Sequence, residues 1–375
     1  MPERQVHAHE PVRRIPGDEA REVEEGTAVC LSGGGFRAML FHAGTLWRLS
    51  ELGILGGVKR VSSVSGGSIT AAQLALAWPV APDDFEQKVV KPLRKLASGT
   101  IDVPAVLLGL LLPGTTIAQR AAGMYRRRLL GAKTLGDLPE TPRFVFNASN
   151  LATGALFRFT QPYVGDWRIG IVPDHDVPLA TAVAASAAFP PPLSPLRLKL
   201  PADGWDLRGA ELTDPSYRSE VKLSDGGVYD NLGLETAWKL YRTILVSDAG
   251  GAFVPHPGPS HNMLLQMPRV VGVMDAQVRA LRVRQTIEGY HRGDRDGAYW
   301  GIHEPIEKAP GTLPCPLEQT LALAAVKTRL AKTPTVIQER LINWGYAACD
   351  AAVRGHHVKD ADPPKAFPYP AAAVG

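Results

Sequence analysis

Cysteine is scarce in this chain. Cys30, Cys315 and Cys349 are the only three among 375 residues, far apart and odd in number. That leaves no disulfide framework and points to a reducing compartment. The first 26 residues are polar and charged, without the apolar core of a secretory signal. Long apolar runs are also missing. The longest, Val103 to Leu112, is about half of the roughly 20 residues that span a bilayer, and Pro104 and Gly109 interrupt it. A soluble, cytoplasmic protein is expected, with export by a signal-free route and peripheral contact at a membrane left open. The positive excess is small, a formal +4 with a pI near 8.9. It suits an anionic surface or substrate but falls short of a nucleic-acid binder, and no zinc-finger or aromatic RNA-reading motif occurs. His-x-x-x-His spacing with a glutamate is absent as well, so neither a catalytic zinc nor another cofactor is expected. No repeat at solenoid spacing appears.

What is present is the material for a large core, with 45% hydrophobic and 21% charged residues. The length permits two or three domains, or one α/β domain carrying insertions. Residues 1–26 read as a polar arm. Thr27 to Leu31 is a short buried strand ended by Ser32-Gly33-Gly34-Gly35, and Phe36 to Gly53 follows as a helix with an apolar face. Val58 to Ser62, a turn at Ser65 and a helix from Ile69 to Trp78 repeat the unit, which favours a mainly parallel sheet covered by helices. The alternation stops over about 79–138, a stretch that reads as a helical cap over the sheet's carboxyl edge. Strands return at Arg143 to Asn147 and Ala155 to Thr160, followed by a small-residue helix from Leu179 to Ala188. Residues 193–220 read as a polar loop or hairpin. Val221 to Leu223, a helix over about 232–241 and the strand Thr243 to Ser247 form another unit. Helices are expected at Met263 to Glu288, Leu317 to Leu330 and Thr335 to Val353, and residues 356–375 form a loose Pro- and Ala-rich tail.

The chemistry concentrates in three places. Val61-Ser62-Ser63-Val64-Ser65-Gly66-Gly67 drives a strand into a serine and two glycines at the start of a helix. A serine on so sharp a turn presents its hydroxyl outward, which makes Ser65 the candidate nucleophile. The usual form of this turn has glycine two residues before the serine, where this chain has Ser63; a tight Ser/Gly connection is the plain alternative. Ser65 needs donors for a developing oxyanion, and Gly33-Gly34-Gly35 offers backbone amides at a helix start. Neither nucleotide-binding glycine pattern fits that loop. Arg37 lies in the first helical turn, where a cation is slightly disfavoured unless it meets an anion such as a phosphate or a structural carboxylate. Both options stay open. Ser65 also needs a base. Asp225-Gly226-Gly227 and Asp248-Ala249-Gly250-Gly251 are rivals of one style, while the ten histidines offer no convincing partner.

Taken together, Leu31-Ser32-Gly33-Gly34-Gly35-Phe36-Arg37-Ala38-Met39, Ser63-Val64-Ser65-Gly66-Gly67 and Asp225-Gly226-Gly227 resemble the patatin-like phospholipases. The first block looks especially like the cytosolic phospholipase A2 branch. Ala185-Ser186-Ala187-Ala188-Phe189-Pro190-Pro191 also resembles the patatin block that precedes the catalytic aspartate. These blocks span roughly residues 27–250 in the family's order. The resemblance implies a three-layer α/β/α fold with a helical cap inside a catalytic domain over 27–355. It implies a Ser65–Asp225 dyad without histidine, oxyanion donors at Gly34 and Gly35 with Gly66, and a phosphate-steering role for Arg37. It makes Asp248 the end of a following, non-catalytic strand. The implied substrate is a phospholipid or related acyl ester, cleaved without a metal; a non-lipid esterase or thioesterase and a partner-triggered phospholipase effector are the alternatives. Calcium-driven membrane docking is not expected. The run Val103 to Leu112 with Arg126-Arg127-Arg128 has the composition of an interfacial segment, but an apolar helix packed over the sheet with a solvated basic face is the preferred reading.

Overall fold

The computed structural model describes residues 23–102, 105, 116–306 and 311–375. Most of the expected arm and nearly all of the run Val103 to Leu112 therefore lie outside the described residues.

Five parallel strands make one half of the sheet, in the order β10 (Asp296–Gly301), β9 (Tyr241–Asp248), β1 (Glu24–Leu31), β2 (Val58–Ser63) and β3 (Arg143–Asn150). Burial on both faces explains their near-continuous apolar sequences. Along β1, Val29 and Leu31 enter the main core, while Ala28 and Cys30 enter a second cluster with Leu232, Leu234 and Ala237. The main core lies under α1 (Gly35–Glu51) and α2 (Gly66–Ala77). The long C-terminal helix, Thr335–His356, packs along α1 on the same side. Helices therefore cover both faces, and the three-layer α/β/α reading stands.

Beyond β3 the sheet turns antiparallel through β4 (Leu156–Phe159), β5 (Val164–Asp166) and β6 (Gly170–Val172). The stretch over 193–220 contains a hairpin arm, β7 (Leu196–Leu198), paired antiparallel with β8 (Val221–Asp225). β3 holds the architecture of the site. Its residues Arg143 to Phe146 pair with β2, and Ala148 to Asn150 pair with β8, while β4 occupies the opposite edge. β2 and β8 therefore share one edge of β3 and meet head-on at their carboxyl ends. Ser63 stands opposite Phe146 and Asp225 opposite Ala148.

The described part of the 79–138 insertion is helical, with α3 (Lys91–Ala97) and α4 (Ile117–Tyr125) continuing into a wide turn over Arg126–Leu130. Arg126, Arg127 and Arg128 face solvent there. α5 (Leu179–Ser186) packs against α4. Two expected helices are shorter: the 232–241 stretch is helical only over Glu235–Trp238, and α7 (Leu317–Ala324) ends six residues early. α6 is the long helix Met263–Arg292, and α8 is Thr335–His356. The tail is docked rather than loose. Asn343 on α8 donates to the carbonyls of Tyr369 (2.8 Å) and Ala373 (2.7 Å), and Val374 is buried.

Candidate active site

Ser65 closes the β2–α2 turn with φ 51° and ψ −115°, a region that L-residues rarely occupy and that sites of chemistry retain. The helix begins at once with Gly66. A Cβ there would stand 2.2 Å from the carbonyl oxygen of Gly35, so only glycine lets the nucleophile turn and the glycine loop touch. Ser63 has a role that a glycine could not fill. Its hydroxyl donates to the carbonyl of Val145 (3.2 Å) and accepts from Ser68 Oγ (3.0 Å); Ser68 in turn lies 2.8 Å from Ser186 Oγ, which accepts the Ser65 amide (3.0 Å). A chain of buried hydroxyls thus runs from β3 to the backbone of the nucleophile.

The glycine loop turns at Gly34 (φ 147°) and Gly35 (φ 62°) into α1. The Gly33 amide donates to the carbonyl of Asn231 and the Phe36 amide to that of Arg329, each at 3.0 Å. Among the described residues the amides of Gly34 and Gly35 have no such acceptor, and both residues line the same cavity as Ser65. Gly66 touches the loop but does not line that cavity. Arg37 points elsewhere. It is 3% exposed and donates to the carbonyls of Ala249 (2.9 Å), Ala324 (3.3 Å) and Val326 (2.6 Å), fastening two segments beside the loop. Burial, with Arg279 nearby, lowers it to about 10. Its hydrogen bonds go to backbone carbonyls, none to a carboxylate, and it does not line the cavity that holds Ser65.

Asp225 ends β8 and is buried. Its Oδ1 accepts from the Gly227 amide at 2.7 Å, while Oδ2 has no hydrogen-bond partner. Burial pushes the carboxyl up to about 7; the Gly227 amide and the Ser65 hydroxyl pull it back, and Asp275 adds to the rise. The Ser65 hydroxyl is thus near enough to favour the charged carboxylate as a donor, although no hydrogen bond of standard geometry joins the two in this structure. Asp248 is equally buried but fully engaged, by Arg279 (2.8 Å), Tyr299 Oη (2.9 Å) and the Gly250 amide (2.9 Å). Burial opposes its charge, yet Arg279 and these donors hold it below the usual carboxylate range.

One cavity of about 830 Å³ brings together Gly33, Gly34, Gly35, Ser65 and Asp225. Its walls are mainly apolar, including Phe189, Leu193, Phe253 and Val254. Among the described residues no histidine lines it. His42 is sealed in the core between Ser247 Oγ (2.8 Å) and the Ser32 carbonyl (2.9 Å), and burial lowers it to about 4. Asn231, to which the sequence reading gives no role, lines the cavity. Its side-chain oxygen would lie 2.3 Å from a Cβ at Gly33 and 2.7 Å from one at Gly227, so it wedges the glycine loop against the aspartate turn. Ser186 is likewise given no role by the sequence. Its place in the Ala185–Pro191 block is the available signal, whereas Asn231 has none. Among the described residues no group of histidine, cysteine, aspartate and glutamate could hold a metal ion, and no helix is long and apolar enough to cross a membrane.

The sequence over residues 29–238, more than half of the chain, matches the family model of the patatin-like phospholipases. Human GIVD cytosolic phospholipase A2 superposes with a TM-score of 0.55 at 14% identity, over 88% of this chain and 59% of that one. The same human protein in complex with methyl gamma-linolenyl fluorophosphonate gives 0.53 at 15% identity, over 88% and 58%. At such identity the likeness is one of fold, and the chain spans less than two thirds of that structure's length. No curated protein matches the sequence.

Proposed function

The chain belongs to the patatin-like phospholipase family, and from that premise we propose that it is a serine lipid acyl hydrolase of the phospholipase A type, working through Ser65 and Asp225. One observation carries the reading: a strained serine and a buried aspartate with a bare Oδ2 share one apolar cavity with two unengaged amides. Asp225 accepts the Ser65 proton as Oγ bonds to the acyl carbonyl carbon. The carbonyl oxygen becomes an oxyanion held by the Gly34 and Gly35 amides, donors of a kind worth about 10²–10³ each in rate. Collapse expels the lyso-lipid alkoxide, which takes the proton from Asp225 and leaves an acyl-Ser65 ester. Water, deprotonated by Asp225, then attacks that ester, and the fatty acid leaves as Ser65 recovers its proton. Gly66 supports this hole by holding the turn against Gly35. Arg37 holds the segments beside the loop in place, and the scheme needs no metal. The apolar walls favour an acyl chain over a polar ester substrate.

The test uses the inhibitor class bound by the human structure. A lipid fluorophosphonate should label wild-type protein and not Ser65→Ala, with the adduct on the Ser65 peptide by mass spectrometry. Phospholipid vesicles should release fatty acid with wild type and show none above background with the variant. Equal hydrolysis by a folded Ser65→Ala chain would overturn the assignment. Turnover of short soluble esters with none of phospholipid would replace it by a non-lipid esterase.

A further inference from the structure

α6 is inside out. At 100° per residue, its residues Pro268, Arg269, Gly272, Asp275 and Ala276 fall on an arc of about 120° and line the cavity. Met267, Val270, Val271, Val273 and Met274 fall on the opposite arc of about 160° and face solvent. A surface helix ordinarily buries its apolar side and wets its polar one. Here the apolar side is outermost, with Met274 at 63% exposure. Val254, 74% exposed, and Phe253 carry the same surface to the cavity mouth, which they also line. Exposed apolar surface on this scale marks a face that something covers.

Charge indicates what covers it. Between Ala249 and Ile287 the chain has one carboxylate, Asp275, against Arg269, Arg279, Arg282 and Arg284. Asp275 lies on the cavity side, and Arg279 and Arg282 are held by Asp248 and Glu235. Arg269 stands at the mouth, 4.6 Å above the Phe253 ring and bonded to the Val254 carbonyl. From Met267 to Arg284 the outward surface is thus mainly apolar, fringed by cations and free of acid; the next acid on that face, Glu288, is paired with Arg292 (2.8 Å).

We propose that the outward face of α6, with Phe253 and Val254, is a docking surface for an anionic lipid bilayer and brings the cavity mouth onto the membrane. Apolar side chains enter the interface while Arg269 and Arg284 meet lipid phosphates. The inference rests on the lipid-hydrolase reading for its purpose, but binding is measured without turnover. A lipid leaving the bilayer then passes directly between Phe253 and Val254 toward Ser65.

The test is flotation of the full chain carrying Ser65→Ala with vesicles of phosphatidylcholine alone or mixed with phosphatidylglycerol. Binding is expected to the anionic vesicles and to weaken with salt. M267E/V271E/M274E, in the same background, should lower it by about tenfold or more, as expected when acids replace the inserted apolar groups. In the active background the same triple variant should keep its rate on a soluble ester. Met274→Trp should fold normally and show a blue-shifted emission on binding, which covers the case of a misfolded triple variant. Unchanged flotation of a folded triple variant, no flotation of the parent chain, or an unshifted emission from the Met274→Trp variant would each overturn the proposal. So would a dimer of the parent chain that the triple variant dissociates, because a second copy would then be the occupant. Absence of lipid hydrolysis by the wild-type chain, with intact flotation, would defeat the enzymatic reading and leave the docking surface standing.

Discussion

Asp225 and Asp248 look alike in sequence and could hardly differ more in surroundings. Each ends a strand at the sheet's carboxyl edge, precedes glycines and is shut away from solvent. Asp248 is neutralised by Arg279 and saturated by Tyr299 and the Gly250 amide. Asp225 has one backbone donor, no cation and an oxygen with nothing bonded to it. A satisfied carboxylate has no reason to take a proton; an unsatisfied one held near neutrality does. The difference lies in partners rather than depth, and depth alone would have made both into candidates.

The comparison breaks most directly at Asp225. Asp225→Asn should lower the hydrolysis rate by about 10²–10⁴, the range of a lost general base, in an assay on a soluble ester. The same variant should be the more stable protein at pH 8. Folded Asp225 keeps its proton to about 7 against 3.8 for an ordinary carboxyl. The folded chain therefore binds more protons across that window, and stability falls as pH rises through it. Removing the buried charge should recover up to about 4 kcal/mol at pH 8 and little at pH 4, read from thermal unfolding at both values. Asp248→Asn should do the reverse. It takes from the largely covered Arg279 its ion-pair partner, and denaturant unfolding should show a loss of up to about 3 kcal/mol with no gain at alkaline pH. Equal behaviour of the two variants would erase the distinction drawn here. The smallest effect is expected at Ser63→Gly, which restores the residue usual in this turn but cuts the hydroxyl chain to the Ser65 amide. A loss of about 1 kcal/mol is expected, with a modest fall in kcat.

Strand–turn–helix units were legible because their signals are local. β1, α1, β2 and α2 lie where the apolar runs and glycines put them, and Ser65, Asp225 and the glycine loop meet in one cavity. What was not legible depends on distant partners. The helix expected from Leu317 to Leu330 stops at Ala324 because the following segment gives the Val326 carbonyl to Arg37 and the Arg329 carbonyl to the Phe36 amide. Arg37 presented as a cation at a helix start, and only the fold supplies the three carbonyls that claim it. β10 escaped notice because Asp296-Gly297-Ala298-Tyr299-Trp300-Gly301 carries no alternation, yet β9 accepts it as an edge. The tail reads as loose from its prolines and alanines, but Asn343 takes its carbonyls. Propensity reports what a segment prefers alone; these segments are decided by what they touch.

The sharing of one edge of β3 has a consequence for how this chain can change length. Ser65 and Asp225 are 160 positions apart in sequence, yet their strands are anchored at Phe146 and Ala148. Insertions in the 79–138 region or within 199–215 alter neither anchor, so the surroundings of the cavity can be lengthened, trimmed or exchanged while the reacting groups stay in place. A single residue added or removed between Phe146 and Ala148 has no such freedom. It would turn the remainder of β3 to the opposite face and carry Asp225 away from the serine. The chain's tolerance for growth lies in those two regions, and it closes between Phe146 and Ala148.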